Sequence, residues 1–152
     1  LEELGDTDLP LREVALGLSR PGVQGRLRNQ SALFIDMHTP WGAHAEVGMM
    51  NLWNGARDRL STLAARRPAG LPPLLADELD HTLAYAAFAA DRALARRECP
   101  NRPMPDGTAR IAALTANHRR LWGIRSRRGG LDHSCGFLAR IETGPNSSPP
   151  AH

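Results

Sequence analysis

The side chains that could do chemistry are present but scattered. Asp77-Glu78 is an adjacent acidic pair, the residue type used for general acid–base work. The hydrophobic pattern around it is helical, however, and neighbours on a helix point about 100° apart, so the two carboxyls do not converge on one bond. Near a helix start, acidic residues are favoured by the macrodipole without any catalytic role. His38 and His44 flank a Pro-Trp-Gly segment at a separation that matches no standard metal-ligand spacing. His81 lies four residues after Asp77, which suits a surface ion pair. His118 falls on an apolar stripe, where a hydrogen-bonded core histidine is the commoner outcome, and His133 follows a diglycine near a possible functional surface. Ser134-Cys135 offers a nucleophile but no GxSxG elbow or strand to mount it. No GxGxxG or Walker loop occurs, and Arg128-Gly129-Gly130 is too short to cradle a phosphate. The expectation is a chain with no catalytic residues of its own, no metal and no cofactor.

One segment holds more functional chemistry than a plain helical bundle needs. Between His118 and Asp132 it gathers Arg119, Arg120, Trp122, Arg125, Arg127, Arg128 and the Gly129-Gly130 turn. Guanidinium forks and an indole plane suit carboxylates, hydroxyl-rich sugars or a subunit contact. Trp122, Arg125, Arg127 and Asp132 are therefore the candidates for a substrate rim or a subunit contact. The alternative is a solvated helix end with cations placed by the dipole.

The elements that must position these residues are helices. Met49, Trp53, Ala56, Leu60 and Leu63 recur at steps of four and three, one stripe of a 3.6-residue period. Gly48 and Gly55 either weaken this helix or permit a close backbone approach. It should end at Arg66-Arg67, before Pro68. Pro72-Pro73 then opens the longest helix, over about 74–98, with Leu75, Leu79, Leu83, Ala86, Ala90 and Leu94 as its buried face. Asp77, Glu78 and Asp80 near its start and Arg96-Arg97 at its end fit the macrodipole. After a loop with Pro100, Pro103 and Pro105, the spacing predicts a third helix from about Thr108 to Arg127, its stripe formed by Ile111, Leu114, His118, Leu121 and Trp122. A left-handed cap is expected at Gly129-Gly130, and Leu131–Ile141 adds a further short helix. Residues 1–40 read as short helices and loops, 41–142 as the bundle and 143–152 as a flexible tail. The fold class is mainly α, an irregular antiparallel helical bundle.

Composition bounds the rest. The chain has 152 residues, 41% hydrophobic and 23% charged, which are ordinary values for a globular domain. Its 19 basic residues are all arginine, which with abundant Ala and Pro fits a GC-rich bacterial genome. The formal charge is only +3 and the arginines alternate with acids, whereas a phosphate-backbone binder concentrates its charge in a stripe. Nucleic acid is accordingly not an expected partner. No apolar run reaches the ~20 residues that span a bilayer, so no membrane partner is expected either. No signal pattern opens the chain, and the expected location is cytoplasmic. Cys99 and Cys135 form no CxxC and read as reduced cysteines packed as small apolar groups.

Taken together, His118-Arg119-Arg120-Leu121-Trp122, Arg125, Arg127, Gly129-Gly130-Leu131 and Ser134 resemble an H-R-x-L-W…R-x-R-x-G-G-L-x-x-S run. That run marks the C-terminal helical region of bacterial β-N-acetylhexosaminidases related to glycoside hydrolase family 20. Leu75-Ala76-Asp77-Glu78-Leu79 resembles the long helix before it. Leu1-Glu2-Glu3-Leu4-Gly5-Asp6 and Asn29-Gln30-Ser31-Ala32-Leu33-Phe34 resemble the segments after the catalytic barrel. Ser126 stands where the pattern has Asn, and Arg128 where it has Pro. The resemblance implies a non-catalytic domain or fragment that follows a missing barrel, because an eightfold β/α barrel needs ~250 residues. It also implies that the catalytic Asp-Glu pair of such enzymes, in which the substrate's acetamido group is the nucleophile, lies on that barrel. The partner is then the barrel of the same protein or a second copy of the chain, and carbohydrate binds only to the full enzyme. The competing expectations are a stand-alone interaction module whose arginine segment takes an acidic partner, and a small enzyme built on His133 or Cys135.

Overall fold

A computed structural model describes residues 32–39, 41, 50–125, 129–139 and 141. Five helices account for most of them: α1 (Ala32–Met37), α2 (Met50–Ala65), α3 (Pro73–Glu98), α4 (Gly107–Arg125) and α5 (Leu131–Ala139). There is no strand among the described residues. The molecule is a mainly α helical bundle, as its periodicity predicts. Arg127, Arg128, His44 and the tail lie outside the described residues.

The longest helix organises the rest. α3 begins at Pro73, with Pro72 at its N-cap making no side-chain cap bond. A proline at the first helical position gives up a donor that the helix could not use. α2, α4 and α1 all pack on α3, and α5 packs on α4. The ion pair Arg67–Asp80 at one end and the Arg97 guanidinium over the Trp53 ring at the other make α2 and α3 antiparallel. Arg120–Asp77 and Arg110–Asp91 do the same for α3 and α4.

Trp53, Ala56 and Leu60 of α2 meet Leu83, Phe88, Ala90 and Leu94 of α3, with Ile111 and Leu114 of α4 completing the main core. The expected stripe of α3 is displaced at its start, because Leu75 is 45% exposed. Phe88, Ala89 and Ala93 instead extend its buried surface at the other end. Trp53 and Phe88 are fully buried, and burial of such rings is the dominant stabilising contribution in a core this small.

The far end of α3 differs most from expectation. Arg96 and Arg97 fit a dipole-favoured helix end, yet both turn inward with Arg92 onto α1. Asp36, 1% exposed, accepts from Arg96 Nη1 at 3.1 Å and from Arg97 Nη2 at 2.7 Å. Arg92 donates to the Thr39 carbonyl at 3.1 Å and to the Ile141 carbonyl at 3.0 Å, and its guanidinium lies over the Trp41 ring. Segments from both sides of the bundle are thus tied to one helix end by arginine forks. Ala32–Met37, grouped by sequence with residues 1–40, is held in the bundle through this contact.

Two further expectations are corrected. Asp77 and Glu78 stand beyond the first turn of α3, which contains no acid. Cys99 is exposed, while Cys135 is buried, and both are free thiols.

Candidate functional site

The hairpin of α4 and α5 builds the site. Gly130 takes a φ of +83°, the left-handed region open to glycine, and redirects the chain into α5. The turn brings Ser134 back beside α4, where its Oγ shares a 3.0 Å hydrogen bond with His118 Nε2. Arg119 donates to Asp132 at 2.9 Å one turn away, on the exposed side. Leu121 and Leu131 are buried beneath the same turn. His118 therefore faces a cavity rather than the main core, although its position on the stripe is as predicted.

That cavity has a volume of about 550 Å³ and is framed by α3, α4 and α5. α3 contributes His81, Thr82 and Tyr85; α4 contributes His118 and Trp122; α5 contributes His133, Ser134, Phe137 and Leu138. His38, just after α1, adds a further ring. The rings touch in sequence: His81 to His118 at 5.6 Å between centroids, His118 to Trp122 at 5.6 Å, His133 to Phe137 at 5.0 Å and His38 to Phe137 at 5.8 Å. Phe137, 42% exposed, marks the solvent side.

A polar relay on α3 and α4 fixes one wall. Arg120 donates through Nη2 to Asp77 at 2.8 Å and through Nε to the Asn117 carbonyl oxygen at 3.0 Å. The Asn117 amide is thereby turned so that its nitrogen faces His81 Nδ1, 3.3 Å away. A ring nitrogen that accepts must be unprotonated, so this bond favours neutral His81. Burial lowers the His81 pKa below 6.5, helped by the nearby His118 and Arg120 charges. Burial also lowers that of His118. The Tyr85 hydroxyl is pushed up to about 12 by burial, which keeps it a hydrogen-bond donor. Among the described residues no carboxylate, arginine or lysine lines the cavity.

The four residues singled out from sequence do not form one site. Trp122 lines the cavity. Arg125 is held at the start of α3 by Glu78, with contacts of 2.6 and 2.9 Å. Asp132 is engaged by Arg119 at the surface. Arg127 lies outside the described residues. The expected His81–Asp77 ion pair gives way to Arg120–Asp77 and Asn117–His81. Asp77 and Glu78 are each bound by an arginine of α4, which accounts for the acidic pair structurally. His133 lines the cavity and Cys135 does not. Thr82, Tyr85 and Phe137 carried no sequence signal beyond their place in helical runs.

Among the described residues no group of three or more His, Cys, Asp or Glu could hold a metal ion, and no helix is long and apolar enough to cross a membrane. Compared with protein-family models, with curated proteins and with solved structures, the chain matches none.

Proposed function

We propose that this chain is the non-catalytic C-terminal helical domain of a family-20-like β-N-acetylhexosaminidase, a cytoplasmic enzyme that removes terminal N-acetylhexosamine residues. Its role is to pack against the catalytic barrel of the same protein. What supports the reading is the way the resembling run closes on itself. His118 and Ser134, its first and last members, are hydrogen-bonded, Leu121 and Leu131 are buried, and Gly130 makes the reversal. The spacing of its described members is in keeping with a helical hairpin. Asp77-Glu78, neutralised by Arg120 and Arg125, is in keeping with a catalytic pair located elsewhere. Leu75 and Ile124, 45% and 56% exposed at the same end of the α3–α4 pair, supply apolar surface for the barrel.

Among the described arginines of the segment, Arg119, Arg120 and Arg125 already pair with acids of the chain itself, which weighs against an acidic partner for these three.

The test is to read the gene in frame ahead of Leu1 and assay its product. The expected result is a barrel with an Asp-Glu pair and a full-length enzyme that hydrolyses 4-nitrophenyl N-acetyl-β-glucosaminide, while this chain alone does not. A start codon with no barrel before it, or hydrolysis by the chain alone, overturns the proposal.

A further inference from the structure

The cavity between α3, α4 and α5 has the features of a binding site in its own right. Its volume of about 550 Å³ lies within the range of small-molecule pockets, roughly 300–1,000 Å³. Its walls are rings, with Leu138 as an aliphatic surface and a small set of polar groups at defined places. These are the hydrogen-bonded His118–Ser134 pair on one side and the Thr82 and Tyr85 hydroxyls on α3.

We propose that this cavity binds a compact, uncharged aromatic molecule carrying one hydrogen-bonding substituent, its ring packed between Trp122 and Phe137 and its substituent directed to the His118–Ser134 pair.

Three observations select this ligand class. Aromatic walls favour a planar apolar body through edge-to-face and offset contacts. Among the described residues no carboxylate or guanidinium lines the cavity, so none of them offers a charged ligand a counter-ion, and an unpaired charge removed from water is costly. Both His81 and His118 are biased toward their neutral forms, so neither of these two imidazoles supplies that counter-ion at neutral pH. A pyranose fits less well. Each of its hydroxyls needs a partner when buried, and the few polar groups of this wall would leave several unpaired. The inference is independent of the proposed enzyme context, because it concerns only the cavity of this chain.

The experiment titrates the full chain with 2-naphthol, 2-naphthoate and N-acetylglucosamine at neutral pH, following the histidine and tryptophan ring resonances by NMR. Saturable shifts of His81, His118 and Trp122 with 2-naphthol are expected. Naphthoate, identical in its ring system but charged, should bind at least about tenfold more weakly, and N-acetylglucosamine should leave these resonances unmoved. Ser134→Ala should weaken 2-naphthol by up to about tenfold, the loss expected for one hydrogen bond. Phe137→Ala, at a half-exposed position, should weaken it comparably. The proposal is overturned if 2-naphthol leaves the cavity resonances unmoved or if naphthoate binds equally well. Binding of N-acetylglucosamine at these resonances, or wild-type affinity in both variants, also overturns it.

Discussion

Asp36 is the residue on which the most buried charge depends. It accepts from Arg96 and Arg97 at 1% exposure, and the Arg92 fork closes over the same region through backbone carbonyls. Removing one partner of a buried ion pair costs about 3–5 kcal/mol, because the remaining charge stays desolvated. Asp36→Ala should therefore lower the urea midpoint by an amount equivalent to about 3–5 kcal/mol, while an Asp80→Ala change, at an exposed pair with Arg67, should cost at most about 1 kcal/mol. Equal effects of the two would show that the cluster is not buried as described. The histidine pair makes a second prediction at this scale. His81 and His118 have folded values below the unfolded 6.5, so below that pH the unfolded chain binds protons that the folded chain resists. Their contribution leaves stability unaffected above 6.5, and stability falls as the pH drops through the lowered folded values. Arg120, itself bound to Asp77, acts on His81, and Asn117, Ser134, Tyr85 and Trp122 are neutral neighbours of the pair. Stability measured from pH 7 down to about 5, where carboxylates are still ionised, should decline in the wild type and flatten in the His81→Gln/His118→Gln double variant. A wild-type profile as flat as the variant's would contradict the lowered values.

Helices offer sharper tests, because their glycines separate backbone conformation from packing. A side chain at Gly130 meets open space but sits at a φ of +83°, so Gly130→Ala should destabilise by about 1–2 kcal/mol through backbone strain alone. Gly129→Ala beside it, also in open space and without the positive φ, should be close to neutral. Gly55, in the middle of α2, has nothing within 4 Å of an added Cβ. None of the described residues makes the close approach considered for it, and Gly55→Ala should stabilise by about 0.5–1 kcal/mol in thermal or urea unfolding. The same scale shows what could be read from sequence. The end of α2 and the limits of α3 were legible because Pro68 and Pro72-Pro73 are strong local punctuation. The inward turn of Arg92, Arg96 and Arg97 was not, since an arginine near a helix C-terminus has the same local pattern whether it faces water or a carboxylate sixty residues away. The cavity was legible only in part. His118 and Trp122 stood out within the resembling run and His133 beside its diglycine, but Tyr85, Thr82 and Phe137 acquire their meaning only when three separate helices meet.

Viewed as a whole molecule, the bundle is held unequally. α3 is packed by three helices and is clamped at its far end by the arginine cluster, whereas α5 leans on α4. Elements with fewer packed neighbours open at lower free energy than the global transition. Native-state hydrogen exchange should accordingly show the amides of α3 near Phe88–Leu94 exchanging only through global unfolding, and those of α5 exchanging faster by a local route. This asymmetry matters for the cavity, because α5 forms one of its walls through Ser134 and Phe137. A ligand that binds only when α5 is seated must stabilise the seated state by mass action, by about 2.7 kcal/mol at a hundredfold excess over Kd. Saturation with 2-naphthol should then slow exchange in α5 and, through the gain in global stability, in α3, leaving fast loop amides between α3 and α4 unaffected. Amides of α5 exchanging as slowly as those of α3 in the free chain would mean that α5 does not open separately. Unchanged exchange in α5 would mean that the cavity's third wall contributes nothing to binding.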